Sequence, residues 1–429
     1  GEIMKGRIGE HLMVLYKEYL SDSHIIANVA PKLPDILFMN RFSCDNPDIV
    51  EILLEYDECD RVERARVKDG LAYLDCVTSN VGITLIDSYG NRYIGSVDYK
   101  LEPMFDDEEY LPYCYQANQN SFKLLLRLAD FGWQSEELDY EIIKVFKALL
   151  MFDELKSEYR RRLNAAILEY FYHQYEGDIF EGYLRDLKLA NLDSDNQSLA
   201  IGYMIERELY DRAFAAVKEL GYHRLSDDNM RDLLTYEVEL DDVEADDVLI
   251  GMSYELFHRD KYSESILKYL IHYAKGGNSE LMAIYKVAKN NHLECADLVE
   301  RIVTQAVMVD CYDDDMIKVF LDYLRYDYDR YVYQAFVNAL CYRIFIKGAP
   351  VNDDITDILK DGFLKGHINH ELGRAALLYI YSKNPDRAAE DVNIVTDIID
   401  FFVKKDMLMP FMSAFANVTE IPAFRPTAY

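Results

Sequence analysis

The period of the hydrophobic pattern changes between residues 34 and 105 of this 429-residue chain. In DIVEILLEY (48–56) apolar and acidic side chains alternate, which is the period of two of a half-buried strand. One face of this segment collects Val50, Ile52, Leu54 and Tyr56. RYIGSVDYKL (92–101) alternates in the same way, whereas most of the remaining chain repeats its apolar residues every three or four positions. The pattern predicts a mainly α protein that contains a small all-β domain.

The strands of this β domain are predicted to form an antiparallel β-sandwich of the immunoglobulin-like kind. Short polar turns separate them at intervals of roughly 8 to 12 residues, which is typical of such sandwiches. The candidate strands lie near 36–42, 49–56, 61–67, 71–77, 82–87 and 92–102. In DSYGN (87–91) we expect Gly90 or Asn91 to adopt the positive φ that closes a four-residue hairpin loop.

Helix-length runs fill the chain from residue 106 onward. Short polar links separate runs such as SFKLLLRLADFGW, DYEIIKVFKALLMF, YRRRLNAAILEYFYHQY and DDNMRDLLTYEV. Ser226 followed by two aspartates predicts a helix start, because the side chain can cap the helix and acids favour the positive end of its dipole. Asn384–Pro385 predicts another helix start, with proline at the first helical position.

Three domains follow from these patterns. An amphipathic helix is predicted for residues 1–32, the β-sandwich for 33–105, and an α-solenoid of degenerate helical pairs for 106–429. The chain begins at Gly1 rather than at methionine, so we expect it to be a segment of a larger protein.

Three segments of the helical region resemble the second helix of tetratricopeptide-like repeats. They are RELYDRAFAAVKELGY (207–222), HRDKYSESILKYLIHYA (258–274) and KNNHLECADLVERIVTQA (289–306). Each has a polar lead-in, then a tyrosine or leucine, then a small residue three positions later: Tyr210 and Ala213, Tyr262 and Ser265, Leu293 and Ala296. In such repeats the small residue lets neighbouring helices approach closely, and the irregular spacing here implies a degenerate array.

A second resemblance spans the junction between the β and helical regions. EHLMVLYKEYL, LPDILFMNRFSC and LIDSYGNRYIGSVDYKLEPMF are similar to stretches of a family of large clostridial proteins of unknown function. Members of that family carry long helical-repeat regions around β segments. The resemblance implies the same architecture here and no particular chemistry.

Charge limits the partners of the chain. It has 46 Lys and Arg against 77 Asp and Glu, a formal net charge of −31. Such a surface repels phosphates and anionic lipid head groups, so we expect a protein or peptide partner rather than nucleic acid or a membrane. No apolar run reaches the about 20 residues that a membrane-spanning helix needs. Seven widely spread cysteines are expected to be reduced thiols, which favours a cytoplasmic location.

Metal and cofactor motifs are weak in this sequence. It has no glycine-rich phosphate loop, dinucleotide fingerprint, His-Glu-x-x-His motif or nucleophile elbow, and no cofactor is predicted. His367 and His370, with Glu371 adjacent, have the spacing of two zinc ligands on a helix, but the remaining ligands are missing. A calcium-loop spacing at Asp193, Asp195 and Gln197 lacks its glycine and its bidentate glutamate.

Acidic runs leave an enzymatic alternative open. Carboxylates cluster at 106–109, 241–247 and 313–315, and a helical toroid with convergent carboxylates is typical of some glycosidases. Against that alternative, the runs fall in inter-helix links, and Trp133 is the only tryptophan that could stack on a sugar. Cys114 has no identifiable histidine partner, so buried packing is the favoured interpretation of this thiol.

One basic cluster interrupts the acidic chain. Lys156 and Arg160 lie one helical turn apart, beside Arg161 and Arg162, and could hold a phosphate or a partner's carboxylate. The favoured alternative is that the cluster pairs with nearby acids on an exposed helical face: Asp153, Glu154 and Glu158.

Tyrosine is the strongest compositional signal, at 35 residues. Five of them fall close together: Tyr323, Tyr326, Tyr328, Tyr331 and Tyr333. Tyrosine suits protein interfaces and also wide helix–helix packing, and packing is the favoured of these two explanations. The sequence predicts a non-enzymatic scaffold or protein-interaction segment, with Tyr326, Tyr328 and Tyr331 as its candidate surface.

Overall fold

The computed structural model describes residues 40–74, 77–103, 122–309, 312–326, 328–345, 347–368 and 371–405. Over these residues the protein has seven strands in its N-terminal region, followed by seventeen α-helices and one short 3-10 helix. This confirms the predicted fold class, a mainly α protein with a small antiparallel β part. Its chain contacts define two compact units, residues 1–226 and 227–429. The predicted N-terminal helix lies outside the described residues.

The β part of the first unit consists of two antiparallel sheets. Its strands are β1 (Asn40–Cys44), β2 (Ile49–Glu55), β3 (Val62–Arg66), β4 (Leu71–Leu74), β5 (Gly82–Asp87), β6 (Arg92–Tyr93) and β7 (Tyr99–Pro103). One sheet has the order β4-β1-β7 and the other β3-β2-β5-β6. Phe42, Ile52 and Leu54 contribute fully buried side chains, one from the first sheet and two from the second.

Strand β2 departs from the predicted alternation at its first residues. Ile49 pairs with Asp87 and Glu51 pairs with Ile86, so Val50 is an extra residue in a β-bulge. The bulge shifts the phase of the strand, and Val50 is exposed although the alternation places it on the buried face. Beyond the bulge Ile52 and Leu54 are buried as predicted.

The hairpin loop at 87–91 has the predicted geometry. Gly90 adopts a φ of 84°, and the backbone N–H of Asp87 donates to the carbonyl of Asn91 at 3.1 Å. The Asp87 carboxylate accepts hydrogen bonds from the backbone N–H groups of Tyr89 (2.9 Å) and Asn91 (2.8 Å) and from the hydroxyl of Tyr93 (2.8 Å). The loop is therefore held mainly by one aspartate.

The predicted strand over 92–102 is wrong in one respect. The structure divides it into β6 and β7, which pair in different sheets. Gly95, between them, has a φ of 72°, a conformation that a continuous strand does not contain. The strict alternation of the sequence hides this break because glycine fits the apolar face of the pattern.

Six α-helices complete the first unit, and the first three cover the predicted helix-length runs that begin at 121, 139 and 159. They are α1 (Phe122–Trp133), α2 (Tyr140–Leu149), α3 (Ser157–Tyr172), α4 (Ile179–Asp186), α5 (Ser194–Glu206) and α6 (Tyr210–Leu220), with the 3-10 helix Leu189–Asn191 before α5. Their cores are aliphatic and aromatic; Phe146 and Leu163, for example, are fully buried.

The described part of the second unit is entirely helical. Its helices are α7 (Asp227–Val238), α8 (Asp247–His258), α9 (Glu264–Tyr273), α10 (Asn278–Asn290), α11 (Ala296–Val309), α12 (Asp314–Tyr323), α13 (Arg330–Phe345), α14 (Asp353–Leu364), α15 (Glu371–Lys383), α16 (Pro385–Glu390) and α17 (Val392–Lys404). One continuous apolar core joins α9 through α17, with Phe320 and Phe336 stacked at 3.8 Å between ring centroids.

Four helices end in the same turn. Glu208, Asp260, His292 and Gly366 all have a φ between 55° and 77° and follow α5, α8, α10 and α14. In each turn the next N–H donates to the carbonyl five residues earlier, which is the Schellman arrangement. Three of these turns lie inside the segments whose sequences resemble one another. Those sequences therefore share a helix-ending turn as well as a helix.

Candidate functional site

The five clustered tyrosines separate into three environments. Tyr323 and Tyr333 are fully buried in the core of the second unit, and Tyr326 and Tyr328 are half-buried. Tyr331, at the start of α13, is 80% exposed. The structure therefore places two of the three candidate surface residues partly in the packing and leaves Tyr331 in solvent.

Asp329 fixes the backbone beside Tyr331. The backbone N–H of Asp329 donates to the buried hydroxyl of Tyr323 at 3.0 Å. Its carboxylate accepts from the backbone N–H groups of Tyr331 (2.8 Å) and Val332 (3.2 Å), which caps helix α13. The side chain of Tyr331 is thus exposed on a backbone that the hydrogen bonds of Asp329 hold in place.

His367 belongs to the aromatic packing around Tyr328. Its Nε2 atom lies 3.4 Å from the hydroxyl of Tyr328, and its ring lies 4.4 Å from that of Tyr333. Burial lowers the pKa of His367, and the charges of Arg330 and Lys365 lower it further. His370, its predicted zinc partner, lies outside the described residues. Among the residues that are described, no group of three His, Cys, Asp or Glu side chains could hold a metal ion.

The calcium-loop residues form the start of a helix. The Asp193 carboxylate accepts from the backbone N–H of Asn196 and so caps α5. Asp195 lies 2.8 Å from Arg224, and the Gln197 amide donates to the carbonyl of Leu189 at 3.1 Å. The three side chains therefore bind neighbouring protein groups around the start of α5.

Two of the three acidic runs also cap helices. Asp246 accepts from the N–H groups of Val248 and Leu249 at the start of α8, and Asp313 accepts from that of Met316 at the start of α12. The run at 106–109, like Cys114, lies outside the described residues. The carboxylates of Asp246 and Asp313 therefore serve as helix caps.

The basic cluster divides among different partners because consecutive helical residues point about 100° apart. Arg160 donates to the carbonyls of Leu150 (2.8 Å) and Phe152 (2.7 Å). Arg161 lies 3.4 Å from Asp193 and 3.7 Å from Asp195, and the guanidinium of Arg162 covers the Trp133 ring at 3.9 Å. The predicted pairing with Asp153, Glu154 and Glu158 is wrong in the case of Glu154, which binds Arg61 instead.

A groove of about 840 Å³ opens beside this cluster in the first unit. It lies between the β2–β3 and β4–β5 loops on one side and helices α3 and α5 on the other. Charged side chains of both signs line it: Asp57, Glu58, Lys156, Glu158, Arg161, Arg162 and Asp195. Its volume lies in the range of ligand-binding clefts, but its lining is mostly charged rather than apolar.

Long-range backbone contacts build this groove. The N–H of Lys156 donates to the carbonyl of Glu58 at 2.9 Å, and Cys59 forms a β-bridge with Leu155. Arg61 binds Glu154 through two nitrogen atoms, one at 3.0 Å. The β2–β3 loop is therefore attached to the α2–α3 loop, almost a hundred positions along the chain.

Glu58 is the unusual side chain of the groove. It is 4% exposed, and its Oε2 atom has no hydrogen-bond partner within the described residues. Burial raises the pKa of Glu58, and the negative charges of Asp130 and Asp57 raise it further. The Thr78 hydroxyl lies close enough to lower this pKa but makes no hydrogen bond of normal geometry with the carboxyl. Sequence reasoning missed Glu58 because no local pattern distinguishes it from the acids around it.

Asp130, an acid whose charge acts on Glu58, has partners of its own. The Asp130 carboxylate accepts from the backbone N–H (3.0 Å) and hydroxyl (2.6 Å) of Ser79 and lies 3.8 Å from Arg127. Arg127 also donates to the carbonyl of Val77. Asp130 and Arg127 therefore attach α1 to the β4–β5 loop, while Glu58 contributes to the lining of the groove.

Two family models match the chain. The N-terminal model of a family of unknown function, DUF5717, matches residues 1–244, and the C-terminal model of the same family matches residues 246–423. Together they cover nearly the whole sequence. The chain therefore belongs to the DUF5717 family. No curated protein matches it.

None of the helices that the structure describes is both long enough and apolar enough to cross a membrane.

Proposed function

We propose that this chain is a non-enzymatic, protein-binding segment of a larger protein. The observation that carries the proposal is the exposure of Tyr331 on a backbone that Asp329 holds in place, beside tyrosines of the same cluster that are buried. An exposed tyrosine on an ordered backbone supplies a large contact area at a small cost in conformational entropy. Tyr326 and Tyr328 are half-buried and pack against the core of the second unit.

The helical pairs provide the frame for this surface. The recurring Schellman turns favour an array of similar helical units, and helical arrays serve mainly as surfaces for other proteins. We also propose that the helical pairs are tetratricopeptide-like and that the protein is of clostridial origin. Its proposed domains are residues 1–32, 33–105 and 106–429. Fold alone does not define a function, and the exposed Tyr331 is the feature that favours a protein partner.

Charge and cysteine chemistry are consistent with a protein partner in the cytoplasm. The net charge of −31 disfavours nucleic acid and anionic membranes. The cysteines at 44, 59, 295 and 341 are buried thiols, as expected in a reducing compartment. No observation favours the glycosidase alternative: the acids of 246 and 313 cap helices, and Trp133 stacks on Phe146 under Arg162.

Affinity capture with site-specific crosslinking tests the proposal. A photo-crosslinking phenylalanine analogue replaces Tyr331 in one protein and Tyr89 in another, because Tyr89 is 88% exposed on a hairpin of the first unit. We expect specific proteins to crosslink at position 331 and not at position 89. Tyr331→Ala should lose the same proteins from capture by the unlabelled chain, whereas Tyr89→Ala should retain them.

Identical crosslinked sets at positions 331 and 89 would contradict the tyrosine surface. So would a captured set that Tyr331→Ala leaves unchanged. Tyr326→Ala and Tyr328→Ala are poorer tests, because their half-buried rings also contribute to the core.

A further inference from the structure

The groove beside Glu58 has a chemical preference that the tyrosine surface does not explain. We propose that it is a second binding site, which takes a cationic side chain, arginine or lysine, from a basic segment of a partner. Glu58 at its floor would meet the incoming charge. This site lies in the first unit and is independent of the surface at Tyr331.

The first argument is that the Oε2 atom of Glu58 makes no hydrogen bond of normal geometry among the described residues. A buried carboxyl group without a hydrogen bond is costly, and native structures retain such a group where something else uses it. Oε2 of Glu58 and the nearby hydroxyl of Thr78 are both buried, and neither makes a hydrogen bond of normal geometry among the described residues. A guanidinium or ammonium group in the groove would supply the donors that Glu58 lacks.

The second argument is the sign of the local charge. The nearest charges that act on Glu58 are the acids Asp57 and Asp130, and Glu158 adds another acid at the rim. A cation entering here would be attracted by several carboxylates at once, whereas an anion would meet them at close range. The net charge of −31 favours a basic partner over longer distances.

The basic side chains of the groove do not cancel this preference. Arg161 is held by Asp193 and Asp195, and Arg162 lies flat over Trp133. Lys156 is exposed at the start of α3 and is the basic side chain most able to oppose an incoming cation.

Calorimetric titration of the full chain with a matched peptide pair tests the proposal. One capped heptapeptide carries a single central arginine between glycines and serines, and the other carries citrulline, which has nearly the same shape without the charge. We expect saturable binding of the arginine peptide with a dissociation constant below about 1 mM, and at least about tenfold weaker binding of the citrulline peptide. A lysine peptide and spermidine distinguish a peptide side chain from a free polyamine as the source of the cation.

Variants of the chain localise the binding. Glu58→Gln keeps the shape of the side chain and should weaken the arginine peptide at least about tenfold. Lys156→Gln should tighten it, because a repelling charge is removed. Glu55→Gln, an exposed carboxylate at the end of β2 that does not line the groove, should leave the affinity unchanged.

Equal binding of the arginine and citrulline peptides would overturn the proposal, as would unchanged affinity in Glu58→Gln. Weaker binding of the arginine peptide by Lys156→Gln would also overturn it, because Lys156 would then not repel the bound cation. If Glu58→Gln does not fold, the double variant Asp57→Asn and Glu158→Gln at the rim takes its place, with several-fold weaker binding expected.

Discussion

Two buried carboxyl groups, one in each compact unit, have opposite surroundings. Asp391, between α16 and α17, is 9% exposed and has three partners: the ammonium of Lys360 at 2.7 Å, the hydroxyl of Tyr381 at 2.9 Å and the guanidinium of Arg387 at 3.7 Å. Glu58 is buried more deeply, yet its Oε2 has no partner within the described chain. The Asp391 carboxylate thus connects three side chains of the helical unit, whereas Glu58 lies in the lining of a groove.

A second aspartate of the helical unit repeats the satisfied arrangement. Asp322 is 6% exposed, accepts from the hydroxyl of Tyr285 at 3.1 Å and lies 3.1 Å from the ammonium of Lys289. A tyrosine and a lysine therefore meet a buried aspartate twice in this unit. Asp391 and Asp322 are thus buried with charged and hydroxyl partners, whereas Oε2 of Glu58 has no hydrogen-bond partner among the described residues.

The largest expected effect concerns Asp391. Asp391→Asn should lower the free energy of unfolding at pH 7 by about 2 kcal/mol, because Lys360 and Arg387 lose their shared acceptor charge. Burial alone would raise the pKa of Asp391, but the hydrogen bonds of Lys360 and Tyr381 and the nearby positive charges lower it overall. In the folded state Asp391 therefore binds a proton less tightly than in the unfolded state. Its contribution to the free energy of unfolding is lost as the pH falls below about 4.

Urea unfolding of the parent and the variant between pH 3 and pH 8 measures this effect. Asp397→Asn is the matched control, because Asp397 is exposed on α17. A loss in Asp391→Asn no larger than that in Asp397→Asn would show that the contacts of Asp391 contribute little.

The smaller expected effect concerns Glu58 and has the opposite sign. The pKa of Glu58 is raised, so the folded state holds the proton more tightly than the unfolded state does. This contribution is complete below about pH 4 and is lost as the pH rises through the folded pKa. Glu58→Gln, which stays neutral, should therefore equal the parent at pH 4 and exceed its stability by up to about 1 kcal/mol at pH 8.

Urea unfolding of Glu58→Gln at these two pH values checks the sign, with Glu55→Gln as the control. Destabilisation of Glu58→Gln at pH 8 would mean that the carboxylate has a stabilising partner. Glu58 would then resemble Asp391 rather than differ from it.

Local patterns predicted much of the fold and little of the groove. Helix starts at Asp227 and Pro385 and the turn at Gly90 depend on residues a few positions apart, so the sequence shows them directly. The bulge at Val50 and the break at Gly95 depend on pairing between strands, which alternation alone does not reveal.

The groove depends on contacts between distant segments. Glu58 becomes distinctive only because its loop binds the backbone of Lys156. The basic cluster did point to the right helix, since Lys156, Arg161 and Arg162 line the groove. Its predicted ligand, a phosphate or carboxylate, follows from the basic residues alone and does not include the buried acid opposite them.

Titration of the Glu58 carboxyl group itself tests most directly whether Glu58 accepts a partner's cation. Its ¹³C resonance, assigned by comparison with Glu58→Gln, would be followed against pH in the full chain with and without the arginine peptide. We expect a pKa above the ordinary range in the absence of peptide, and a shift to lower pH with the arginine peptide that the citrulline peptide does not cause. A pKa that the arginine peptide leaves unchanged would contradict the assignment of Glu58 as the acceptor of a partner's cation.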